Sequence, residues 1–147
     1  MKFLSKSIAA SMLCFASATF ATDTSNLGAI DIWHSNCVFA NMGMFSAEFT
    51  FDGLGIDEIN NLKVSVNAID KSGKVITSGV LEVDQFGGPG AGRYASAFLE
   101  SQDICSDGLT IVITKASAVI NDKKIDLLKS KLISIRKFQP YKILLRK

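Results

Sequence analysis

The sequence lacks most of what enzymes and membrane proteins need. It has one histidine, His34, so no site built from several histidines can form. The leading apolar stretch, Ile8 to Phe15, falls well short of the ~20 residues a bilayer-spanning helix requires, and no second long apolar run follows. Over the whole chain neither sign of charge predominates. Leaving out Lys2 and Lys6, which lie in the leader, the chain carries 14 basic and 14 acidic residues, a balance that argues against a nucleic-acid binder. No internal repeat, low-complexity tract, interdomain linker or amphipathic helix of ten or more residues is visible. At 48% apolar and 20% charged, the composition is that of a folded chain.

Residues 1–21 read as a secretory signal peptide. Lys2 and Lys6 form a positive start, the short apolar stretch follows, and Thr19 and Ala21 are the small residues before the cut. A nearby cut after Ala18 is the competing site. Residues 22–147 are then the mature domain. Export also disposes of Cys14 and leaves Cys37 and Cys105, 68 positions apart. Two cysteines in an oxidising compartment predict one structural disulfide. Such a closure stabilises by about 4 kcal/mol in the loop-entropy account.

From Ala29 onward apolar residues recur with a period near two. Phe45, Ala47, Phe49 and Phe51 alternate with polar neighbours, as do Leu62, Val64, Val66 and Ala68. Runs at Ile30–Phe39, Tyr94–Leu99, Leu109–Val119 and Leu132–Phe138 read as further strands. Asp70–Gly73 and Asn121–Lys124 read as turns, and Ile56–Ile59 as a single helical turn. Seven to nine short strands predict an all-β chain: one β-sandwich of fibronectin type III or immunoglobulin type, with a small barrel as the alternative.

Catalytic constellations are not found in convincing form. The glycine-rich segment Gly87-Gly88-Pro89-Gly90-Ala91-Gly92 is followed by a strand and lacks the Lys-Ser/Thr pair of a phosphate loop. It reads as a loop which, with Arg93, can form a binding rim. No Gly-x-Ser-x-Gly elbow surrounds a serine. The pairs Asp57-Glu58 and Asp103/Asp107 read as solvated loop, and Asp52, Asp57 and Glu58 lack calcium-loop spacing. Three positions along a regular strand set His34 and Cys37 on opposite faces, so a Cys–His pair is not expected. The chain is expected to be no enzyme and to need no cofactor or metal. Trp33, the one tryptophan, is expected as a core plug beside the disulfide, with an exposed interface anchor as the alternative.

Charge is segregated. Residues 22–114 hold 4 basic and 12 acidic side chains, net −8, and residues 115–147 hold 10 and 2, net +8. Mutual attraction between the two parts accounts for this. A basic face for an acidic partner, a polysaccharide or a membrane surface is the sharper alternative. The last apolar segment, Lys142-Ile143-Leu144-Leu145, is a strand able to complete its own sheet or to cross into a second copy.

From the leader, through Asp31-Ile32-Trp33-His34-Ser35-Asn36-Cys37, to the lysine-rich C-terminal strands, the chain resembles the bacterial interleukin receptor mimic protein A family. The resemblance implies a small secreted protein with a fibronectin type III-like sandwich and a strand-swapped homodimer. It also implies binding of host cytokines and modulation of immunity. Cytokine receptors often carry a Trp-Ser-x-Trp-Ser signature, of which only Trp33 is present here, so mimicry would be one of shape. Two other functions fit a secreted sandwich: a structural or adhesive subunit assembled by strand exchange, and a periplasmic enzyme inhibitor acting through the glycine loop.

Overall fold

The computed structural model describes residues 28–53, 55–136 and 142–146. Among them are nine strands and no helix: β1 (Ile30–Asn41), β2 (Met44–Asp52), β3 (Ile59–Ile69), β4 (Val75–Phe86), β5 (Tyr94–Ser101), β6 (Thr110–Ile120), β7 (Lys123–Asp126), β8 (Ile133–Ile135) and β9 (Lys142–Leu145). One sheet runs β5-β2-β1-β8. The other runs β4-β3-β6-β7, with β9 also paired to β6. This is the two-sheet sandwich expected for a fibronectin type III-like chain. The signal peptide, and the end of the strand assigned to Leu132–Phe138, lie outside the described residues.

The alternation read in the sequence is the alternation of the core. Phe49 and Phe51 of β2, Leu62, Val64 and Val66 of β3, and Ile111 and Ile113 of β6 are fully buried between the sheets. Phe51 meets Phe86 across the sandwich, with ring centroids 6.4 Å apart. Burying each such side chain contributes about 1.5–3 kcal/mol. The disulfide joins Cys37 of β1 to Cys105 in the β5–β6 connection, and both cysteines pack against the core.

Tight turns set the register. Met42 and Gly43 both have positive φ (45° and 79°), as do Asn121 and Asp122 (51° and 60°). These are the two-residue hairpin turns that match strand twist. Ile56–Ile59 is not a helical turn. Ile56 N–H donates to the Gly53 carbonyl in a single tight turn, and Ile59 already begins β3. Asp57 does not bond back to Gly53 as a helix would require, and residues 56–58 are not helical.

A bulge in β1 overturns one expectation. The β1–β2 register shifts between His34 and Asn36, so Ser35 is an extra residue and side-chain parity flips after it. His34 lies opposite Phe49 and Cys37 opposite Ala47. Phe49 and Ala47 both face the core, so His34 and Cys37 share the inner face after all.

Candidate functional site

The outer face of the β5-β2-β1-β8 sheet carries a cluster that no local motif announces. Alternation along β1 and β2 points Asp31, Trp33 and Asp52 outward. The register places Asp31 opposite Asp52, and Asp52 opposite Tyr94. Two arginines close over these acids. Arg93 reaches Asp52 in a bidentate pair, Nε to Oδ1 at 2.7 Å and Nη2 to Oδ2 at 2.8 Å. Arg136, just past β8, donates from Nε to Asp31 Oδ2 at 2.7 Å and from Nη2 to Asp52 Oδ2 at 2.6 Å. Ser134 Oγ donates to the other Asp31 oxygen.

Backbone hydrogen bonds hold both arginines in place. Gly53 N–H donates to the Arg93 carbonyl at 3.1 Å, and Arg136 N–H donates to the Ile32 carbonyl at 3.0 Å. Asp52 is wholly shielded from solvent although its strand face looks outward. The Arg93 hydrogen bonds, joined by Arg136, hold its carboxyl below the usual carboxylate range, against the opposing effect of burial.

The same arginines carry aromatic rings. The Arg136 guanidinium stands 5.0 Å from the Trp33 ring centroid, and that of Arg93 stands 5.1 Å from the Tyr94 centroid. Trp33 and Tyr94 meet edge to face, with centroids 6.3 Å apart and planes at 81°. The result is a continuous surface stack in the order Arg136, Trp33, Tyr94, Arg93. Its rings lie within the cation–π range. Trp33 is therefore not the core plug expected beside the disulfide. The bulge at Ser35 leaves Cys37 facing in and Trp33 facing out, half-buried under Arg136.

Around this stack the face is apolar and open. Phe98 (57% exposed) and Tyr94 (52% exposed) project from the edge strand β5, and Val38 lies on the same face toward the β1–β2 hairpin. Met42, 92% exposed, stands at the hairpin tip in a left-handed conformation. Exposed Trp, Tyr and Arg are the residue types that dominate binding hot spots.

The other residues singled out by sequence sit elsewhere. Gly87, Gly88, Pro89 and Gly90 form a compact loop closed by its own hydrogen bonds, Gly87 N–H to Gly92 O at 2.9 Å and Ala91 N–H to Gly88 O at 3.1 Å. The Arg93 that follows it is engaged with Asp52. Lys142, Ile143, Leu144 and Leu145 form β9, parallel to the start of β6. Ile143 is buried there, and Leu144 and Leu145 are exposed. Among the described residues no group of three or more His, Cys, Asp or Glu is arranged to hold a metal. No described helix is long and apolar enough to cross a membrane.

The arginine–aspartate cluster went unforeseen because its members lie 41, 84 and 105 positions apart. The one local signal was Asp31 two residues before Trp33 on a strand, which puts an acid and a large ring on the same face.

Comparison with known proteins completes the picture. The family model described as interleukin receptor mimic protein A matches residues 30–135. The solved structure of IrmA from Escherichia coli is similar to this fold, with a TM-score of 0.62 and 24% identity, covering 76% of this chain and 94% of that one. That likeness is one of fold. No curated protein matches the chain.

Proposed function

The chain belongs to the interleukin receptor mimic protein A family, and from that membership we propose that it is a secreted bacterial protein that binds a host cytokine and blunts its signalling. It acts as a binder, not as an enzyme. Contact is made by the outer face of the β5-β2-β1-β8 sheet. The observation that carries this reading is the surface stack of Arg136, Trp33, Tyr94 and Arg93, flanked by exposed Phe98. Its guanidiniums are fixed in advance by Asp31 and Asp52, so little side-chain entropy is lost on docking. The disulfide suits the oxidising compartment that export implies.

The functional unit is a homodimer formed by exchange of β9. Four residues pair with β6, and one of them, Ile143, is buried. So short a strand is held equally well by a second copy.

The test uses the oxidised chain without residues 1–21, immobilised and challenged with a panel of purified cytokines. Retention of at least one at micromolar concentration, weakened tenfold or more by Tyr94→Ala with Phe98→Ala, is the expected result. Retention of none overturns the reading. Light scattering on the same sample gives the mass: twice the chain is expected, and a monomer at micromolar concentration refutes the exchange.

A further inference from the structure

We propose that the trough between β7 and β9 on the second sheet is a binding site for an acidic polysaccharide. Strand β6 shares one edge between two short partners. β9 covers Thr110–Ile113 and β7 covers Ser117–Ile120. Thr114 is an extra residue, because the register to β3 shifts between Ser65 and Val66. The gap widens there into an open cavity of about 620 Å³, within the usual range for ligand sites.

Four cations from four segments rim it: Lys115 of β6, Lys124 of β7, Lys129 of the following turn and Arg146 after β9. One acid, Asp126, shares the rim. It stands 4.0 Å from Lys129 and already accepts the Leu128 and Lys129 backbone N–H groups at 3.1 Å each. Among the described residues Lys115, Lys124 and Arg146 have no carboxylate within ion-pair distance. Mutual attraction between the two halves of the chain therefore does not account for this charge. Among the described residues of the basic segment, only Arg136 is ion-paired to the acidic one.

The layout selects the class of ligand. A phosphate cradle gathers main-chain N–H groups on one point. Here the facing main-chain groups are already engaged, Leu127 N–H with Ala116 O and Arg146 N–H with Ile113 O. Spaced point charges on flexible stems suit a ligand whose own charges are spaced. Ser117 lines the trough with a hydroxyl that matches sugar hydroxyls, and Thr114, whose hydroxyl donates to the Ser65 carbonyl at 3.3 Å, keeps its acceptor capacity there. Among the described residues no aromatic ring lines it for base stacking. Beyond the trough on the same face Lys63 of β3 is already paired with Glu82 of β4 at 2.8 Å, so the unpaired cations do not continue across β3 and β4, an extent that suits a short ligand segment rather than a flat anionic bilayer or a long duplex. This site is distinct from the aromatic face, which lies on the other sheet.

The test is calorimetric titration of the leaderless chain with a heparin-derived hexasaccharide in low salt. Its fully desulfated counterpart, inorganic sulfate and phosphatidylglycerol vesicles are run in parallel. The sulfated hexasaccharide is expected to bind in the micromolar range, with affinity falling steeply as salt rises. The triple change K115Q/K124Q/R146Q should weaken it at least tenfold, with melting unchanged. The double change K71Q/K74Q, in the distant β3–β4 turn, should leave it intact. Absence of binding at millimolar hexasaccharide overturns the proposal. So does equal weakening by both variants, which marks unspecific attraction, or binding to vesicles or sulfate at the strength of the hexasaccharide.

Discussion

Asp52 is the residue whose loss should tell most about the outer-face cluster. Its carboxylate is wholly shielded and accepts three charge-assisted hydrogen bonds, at 2.7, 2.8 and 2.6 Å, from two guanidiniums. Removing one partner of a buried ion pair costs about 3–5 kcal/mol, because the surviving charge is left unpaired. Here the survivors are part-exposed, with Arg93 at 48% and Arg136 at 32%, so water recovers some of that energy. Asp52→Ala should accordingly cost about 2–3 kcal/mol. For a domain this size that lowers the melting temperature by roughly 8–12 °C. Asp52→Asn keeps the shape and loses the charge, and should cost about 2 kcal/mol. Urea unfolding of the oxidised protein measures both. Combined with Arg93→Ala, the two losses should fall short of additive by about 1 kcal/mol or more. The acid limb gives an independent check. A carboxyl whose folded pKa lies below its unfolded value stabilises fully above about pH 4, and that share is lost as pH falls below it. Asp52→Asn should flatten this limb. A loss under 0.5 kcal/mol, or strict additivity with Arg93→Ala, would refute the view that Asp52 is the hub of the cluster.

Three further outcomes are expected. Replacing Cys37 and Cys105 with serine opens a link spanning 68 positions and should cost about 4 kcal/mol, read as a shift of the urea midpoint. An unchanged midpoint would show that the link does not constrain the unfolded chain. Burial of His34 against Phe49 pushes its imidazole below the ordinary value of 6.5. The unfolded chain then takes up the proton first, so stability is full above about pH 6.5 and declines as pH drops below it. His34→Gln should remove that slope between pH 7.5 and 5. Gly87 has φ of +85°, and a Cβ there would lie 2.9 Å from the Ile56 carbonyl oxygen. Gly87→Ala should therefore cost about 2 kcal/mol, whereas Gly90→Ala, with open space around it, should cost far less.

Strands with one buried and one wet face were plain in the sequence, because burial imposes period two on β2, β3 and β6. The disulfide followed from a count of two cysteines. β4 did not stand out: it is an edge strand, largely exposed, with Gly79 in its middle, so no burial pattern is imposed on it. The misplacement of Trp33 and of the His34–Cys37 relation has a single cause. An extra residue at Ser35 inverts the parity of everything beyond it, and neither Ser35 nor its neighbours carry a glycine or proline that would mark a bulge. Charge segregation was visible as numbers along the chain. Which cations are paired depends on register between distant strands, and only the assembled sheets separate Arg136 from Lys115, Lys124 and Arg146.

The two faces of the sandwich use charge in opposite ways, and the difference follows from how each cation is held. On the first sheet the aspartates take N–H groups of Arg93 and Arg136, and the same guanidiniums stand over the Tyr94 and Trp33 rings. The charge is neutralised locally and the arginines serve as rigid, weakly hydrated plates. A partner meeting that face encounters a preordered apolar and aromatic surface, and salt should affect its affinity little. On the second sheet the lysines stay solvated and largely unpaired, so attraction there is long-ranged, screened within a Debye length and tolerant of the ligand's exact shape. A ligand of the first face should therefore be lost through substitutions of Tyr94 and Phe98 with little change in salt dependence. A ligand of the second should be lost through salt alone. If a cytokine bound here is released by 0.3 M salt, the aromatic face is not its seat.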